Sequence, residues 1–146
     1  GNTVGDLSPS FDLLTIKGEN ISLGGTNNQN HPVFLFFFSP FWGTCRAELQ
    51  HFKEIIPDFS GEMDFILIDI GSGFGNEALE SFVTEQSYNG IVGIADRGIL
   101  KLLDVKIQST KIAIDSEGTI IYREGYGKGG KDEFIDVFSK LSSKNS

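Results

Sequence analysis

Phe34-Leu-Phe-Phe-Phe-Ser-Pro-Phe-Trp-Gly-Thr-Cys-Arg-Ala-Glu-Leu49 is the stretch whose reading decides the fold. The apolar run from Val33 to Phe38 predicts a strand buried on both faces. Ser39 to Gly43 reads as a turn, and a helix comes next with Cys45 in its first turn. A thiol in that position sits where the helix dipole favours a thiolate. Yet Cys45 is the only cysteine of the 146 residues, so no intrachain disulfide can form.

The rest of the chain reads outward from this unit. Residues 11–16 and 20–23 alternate loosely and predict a β-hairpin around Lys17-Gly18. The first long helix is expected over Thr44 to Ile56, with Leu49, Phe52, Ile55 and Ile56 on its apolar side and Pro57 ending it. Asp64 to Ile70 predicts a second central strand. Gly71 to Gly75 turns into a helix over Asn76 to Gln86. Ile91 to Ala95 reads as a short strand and Ile99 to Leu103 as a small helix. Lys111 to Ile114 and Thr119 to Arg123 pair across the turn at Asp115. The last helix is expected over Lys131 to Leu141, with a frayed tail at 142–146. No repeat or linker divides the chain, so it reads as one α/β domain, 1–146, with helices on both faces of a mixed sheet.

The cysteine segment resembles the active-site segment of the thioredoxin-like redoxins, the TlpA/ResA and AhpC/TSA group. Their usual form is an apolar strand and then Trp-Cys-x-x-Cys-Arg-x-Glu-Leu. Cys45-Arg46-Ala47-Glu48-Leu49 matches the run that begins at the second cysteine, which puts Trp42 where the attacking thiol belongs. A second alignment makes Cys45 the first cysteine and puts Glu48 at the second. The first is preferred because the residues after the cysteine match without a gap. Val4 to Phe11 resembles the family's opening, and His31-Pro32-Val33 its entry to the central strand. Lys111-Ile-Ala-Ile-Asp115-Ser-Glu-Gly118-Thr-Ile resembles the closing hairpin, usually Thr-Phe-Leu-Ile-Asp-x-x-Gly-x-Ile. The family's cis-proline before that hairpin falls on Ser109. A cis bond before a non-proline residue costs ~3 kcal/mol, so a trans bond and a reshaped loop are expected there.

The resemblance implies a thioredoxin-like fold and a candidate thiol at Cys45, with Phe41, Trp42, Gly43, Thr44 and Ser109 around it as a binding surface. Against the thiol reading stands a bland one, a buried cysteine acting as a small hydrophobe. For Trp42 the choice lies between an exposed platform for a partner and a plug in the old active site. The peroxiredoxin pattern, Pro-x-x-x-Thr-x-x-Cys with a distant Arg, fits poorly: those positions hold Phe38, Trp42 and, for the Arg, Ser109. Gly71-Ser-Gly-Phe-Gly75 is neither a dinucleotide fingerprint nor a phosphate loop motif, and reads as a turn. His31 and His51 stand far apart, so no metal site and no cofactor are expected.

A formal charge of −8 and a pI near 4.6 argue against nucleic acid and anionic membranes as partners. No apolar run is long enough to span a membrane. The resemblance implies an extracytoplasmic protein whose N-terminal anchor is missing from this chain, with a cytoplasmic placement left open. Dithiol exchange needs an attacking and a resolving thiol, and only one is present. Three hypotheses remain: a degenerate redoxin that binds a protein or peptide at the Trp42/Cys45 helix tip; a monothiol oxidoreductase whose mixed disulfide a small thiol resolves; and a divergent peroxidase passing through a sulfenic acid at Cys45.

Overall fold

Six consecutive apolar residues, Val33–Phe38, form β3, and none is more than 1 % exposed. The computed structural model describes residues 1–26, 31–40, 43–71, 73, 75–106 and 109–145, the side chains of 44 and 143–145 excepted. Among them β1 (Phe11–Thr15), β2 (Asn20–Leu23), β3, β4 (Asp64–Asp69), β5 (Ile91–Ile94), β6 (Thr110–Ile114) and β7 (Ile120–Glu124) build one sheet, ordered β2-β1-β5-β4-β3-β6-β7. β3, β4 and β5 run parallel; β1 and β6 flank them antiparallel. This is the mixed sheet expected from the sequence.

Strand alternation divides β3 between two cores. Phe34, Phe36 and Phe38 face the side packed by α1 (Gly43–Ile55), α2 (Asn76–Glu85) and α4 (Lys131–Asn145). Val33, Leu35 and Phe37 face the side packed by α3 (Arg97–Leu102). Right-handed crossovers explain the division: β3-α1-β4 and β4-α2-β5 step along the sheet in one direction, and the path from β5 to β6 steps back. On the α1 side the filling is aromatic. Phe34 lies 5.0–5.7 Å from the rings of Phe52, Phe65 and Phe138, and Phe52 lies 4.4 Å from Phe134. Tilted and edge contacts of this kind add to the burial of each ring, itself worth roughly 1.5–3 kcal/mol.

Several ends differ from expectation for local reasons. α1 stops at Ile55 and a 3-10 turn takes Ile56–Phe59, because Pro57 has no N–H to continue the ladder. α3 begins two residues earlier than expected, at Arg97, because the Asp96 carboxylate accepts from the Ile99 N–H at 2.8 Å and caps it. α4 runs on past Leu141 to Asn145, since no Gly or Pro stops it. β7 is set one residue later than expected, with a bulge at Ala113/Ile114. Asp115 serves the turn as read: its Oδ1 accepts from the N–H groups of Glu117 and Thr119, and Gly118 takes φ +88°.

Candidate functional site

β3 delivers the chain to the C-terminal end of the central strands, and α1 starts there. Cys45 is the third residue of α1 and is 1 % exposed. Its Sγ shares a hydrogen bond of 3.0 Å with Oγ of Ser109, which is also fully buried. Ser109 takes φ +63°, and its N–H donates to the Phe37 carbonyl at 2.7 Å. Proline holds φ near −65° and has no N–H, so the position that matches the family's proline holds a backbone that proline cannot adopt. No cis peptide bond occurs among the described residues; the bond into Ser109 begins at Gln108, outside them.

A second polar contact lies one step inward. Glu48 comes three residues after Cys45, so both point from the same face of α1. Lys111 comes two after Ser109, so both point from the same face of the sheet. The helical spacing of about 5–6 Å matches the strand spacing of about 7 Å well enough for two rungs, Cys45–Ser109 and Glu48–Lys111, to form side by side. Lys111 is 0 % exposed. Its ammonium pairs with Glu48 Oε2 and donates to the carbonyls of Gly125 and Lys128, both at 2.9 Å. Three donors meet three acceptors, and Nζ also stands 5.7 Å from the centre of the Phe134 ring. The other carboxylate oxygen, Glu48 Oε1, is buried with no hydrogen-bond partner among the described residues.

Of the other expected site residues, Gly43 opens α1 and is exposed. Thr44 lies in α1, but its side chain is outside the described residues, as are Phe41 and Trp42 entirely. Arg46 turns away from the thiol: its Nε donates to the Pro40 carbonyl at 3.1 Å and its guanidinium lies 5.8 Å from the Phe82 ring centre. The Gly71–Gly75 segment leads into α2, with positive φ at Gly71 and Gly73. No cluster of His, Cys, Asp or Glu suited to a metal ion occurs among the described residues. His31 instead pairs with Asp64 at 2.7 Å, at the far end of β4. Two clefts of about 410 and 450 Å³ open elsewhere. The first is lined by Lys53, Met63, Phe65 and Tyr88 at the far sheet end; the second, by Thr110 and Arg123, is on the α3 face. Cys45 lines neither.

Sequence reasoning did not find the Glu48–Lys111 pair or the turn it holds. A signal was present: a lysine opens the apolar run Lys111-Ile-Ala-Ile114, where the resembling hairpin has threonine.

The AhpC/TSA family model matches residues 4–123. No curated protein sequence matches this chain. Among solved structures, the thioredoxin domain of a thiol-disulfide oxidoreductase from Bacteroides vulgatus superposes with a TM-score of 0.80 at 16 % identity, over 97 % of this chain and 99 % of that one. A peroxiredoxin-like protein from Aquifex aeolicus gives 0.79 at 18 %, over 95 % and 87 %. A secreted Mycobacterium tuberculosis disulfide oxidoreductase, homologous to E. coli DsbE, gives 0.73 at 22 %, over 90 % and 96 %. At these identities the likeness is one of fold, and that fold is thioredoxin-like.

Proposed function

Because this chain belongs to the AhpC/TSA family and carries the thioredoxin-like fold, we propose that it is a redoxin that has lost dithiol exchange and serves as a binding or accessory module, docking an extended protein segment at the Phe41/Trp42/Cys45 helix tip. The observation that carries this reading is the state of Cys45: a single thiol, 1 % exposed, closed against Ser109. Dithiol exchange moves two electrons from two thiols to a substrate disulfide. A first thiolate displaces one substrate sulfur to give a mixed disulfide. A second thiol on the enzyme then displaces the first. Without that second thiol the chain stops at the mixed disulfide. The residues at the other two exchange positions, Trp42 and Ser109, match the same loss. The secreted Mycobacterium relative supports an extracytoplasmic location.

The test is selection of binders from a random extended-peptide library, and then two variants. Trp42→Ala is expected to weaken a selected peptide at least tenfold, as loss of an aromatic anchor does. Cys45→Ser is expected to leave it unchanged. A peptide lost on Cys45→Ser and kept on Trp42→Ala would refute the reading.

One observation favours a second reading, a monothiol enzyme. The Ser109 hydroxyl lies 3.0 Å from Sγ and is placed to donate to a thiolate. There the thiolate would attack a substrate disulfide, one substrate thiolate would leave, and an external small thiol would resolve the mixed disulfide. In a peroxidase variant it would instead break the O–O bond of a peroxide and become a sulfenic acid. Either predicts thiol-dependent turnover that Cys45→Ser abolishes.

A further inference from the structure

We propose that Lys111 is a positioning residue for the docking surface: buried behind Cys45 and Ser109, it holds the β7–α4 turn, residues 125–130, in place beside the helix tip. The proposal rests on the reading of that tip as a docking surface.

An ammonium taken wholly out of water needs a counter-charge and an acceptor for each N–H. For Lys111 those partners come from separate parts of the chain. Glu48 comes from α1, the helix that opens with the Cys45 turn. The carbonyls of Gly125 and Lys128 come from the turn after β7, and the Phe134 ring from α4. Lys111 itself belongs to β6, two residues beyond Ser109. One side chain therefore joins the helix tip, the Ser109 strand and the β7–α4 turn.

The turn has little else to hold it. Its own backbone bond, from the Lys128 N–H to the Gly125 carbonyl, is long at 3.2 Å. Gly127 and Gly129 both take positive φ, conformations that cost glycine little but that the unfolded chain leaves freely. Residues 125–133 are mostly exposed, and Tyr126 stands 49 % exposed on this turn. The carbonyls at 125 and 128 aim inward at Nζ, so the turn's outer side carries Tyr126 at a position set by Lys111. An aromatic held this way is the kind of group that anchors a partner. The unpartnered Glu48 Oε1 fits the same role: the carboxylate is placed to serve the lysine, with one oxygen left over.

The test uses Glu48→Leu/Lys111→Met, which removes both charges together, because a buried pair replaced by apolar residues usually leaves a folded protein. Hydrogen exchange is read by mass spectrometry on the full chain. Amides of residues 125–130 are expected to exchange roughly tenfold faster or more, and those of β3 and β4 to stay protected. With 3-fluorotyrosine in place of Tyr88, Tyr122 and Tyr126, the Tyr126 fluorine signal should shift and sharpen while that of Tyr88 stays. Unchanged turn exchange together with an unchanged Tyr126 signal would overturn the proposal. So would uniform loss of protection across the sheet, which would make the pair a requirement for folding instead. Neither readout needs a partner, so the proposal can fail while the docking reading stands, and the reverse.

Discussion

Lys111→Met removes one ammonium and strands three acceptors. The Glu48 carboxylate loses its counter-charge while remaining almost wholly buried, and the carbonyls of Gly125 and Lys128 lose their donors. Breaking a buried pair from one side costs roughly 3–5 kcal/mol, because the remaining charge stays desolvated. The stranded carbonyls add to this, and the apolar fit of methionine against Phe134 offsets part of it. A net loss of about 4 kcal/mol is therefore expected. For a chain near 150 residues each kcal/mol moves Tm by roughly 3 °C, so Tm should fall by roughly 12 °C. The assay is urea unfolding monitored by far-ultraviolet circular dichroism, with the slope m unchanged between parent and variant. Glu48→Leu/Lys111→Met should recover at least half of the loss, since it removes the stranded charge as well. A single variant that costs less than about 1 kcal/mol would refute the reasoning, for it would mean that Glu48 finds water or another donor without Lys111.

Two further predictions concern the backbone at Ser109 and the buried phenols. Ser109→Pro, which restores the residue type of the resembling family, should destabilise the protein by ~3 kcal/mol or more, because φ +63° and the N–H bond to Phe37 both exclude proline; Ser109→Gly should stay within about 1 kcal/mol of the parent in the same urea assay. Burial pushes the Tyr88 phenol above the usual tyrosine range, and burial together with its bond to Glu133 does the same for Tyr122. Since unfolded tyrosine ionises near pH ~10, the stability these groups contribute is complete below that pH and is lost as pH rises beyond it. Absorbance at 295 nm should show both ionising only as the circular dichroism is lost; their ionisation near pH 10 in the folded protein would contradict this.

What the sequence made legible was whatever depends on local pattern. The unbroken run Val33–Phe38 announced a strand buried on both faces, and the spacing of Leu49, Phe52 and Ile55 announced the inner face of α1. The hairpin of β1 and β2 and the Asp115 turn were readable from turn residues alone. What stayed hidden depends on distance. Nothing local says that β1 pairs with β5, which gives the sheet its far edge. Asp96 does not stand out as a cap, because the helix it opens is short. The Cys45–Ser109 contact spans 64 residues and the Glu48–Lys111 pair 63. Both require the knowledge that α1 lies over β6, and only the folded chain supplies it. Position 109 was legible as a substitution for proline, but its left-handed backbone was not.

The central claim is that Cys45 is closed off and takes no part in turnover. The rate of its alkylation by iodoacetamide in the folded protein, compared with the rate in urea, tests this most directly. The account predicts a native rate lower by a factor on the order of 100 or more, set by transient opening of α1's first turn. Native alkylation as fast as in the unfolded chain, or faster, would show a reactive and accessible thiol. It would contradict the account and turn attention to monothiol chemistry at Cys45.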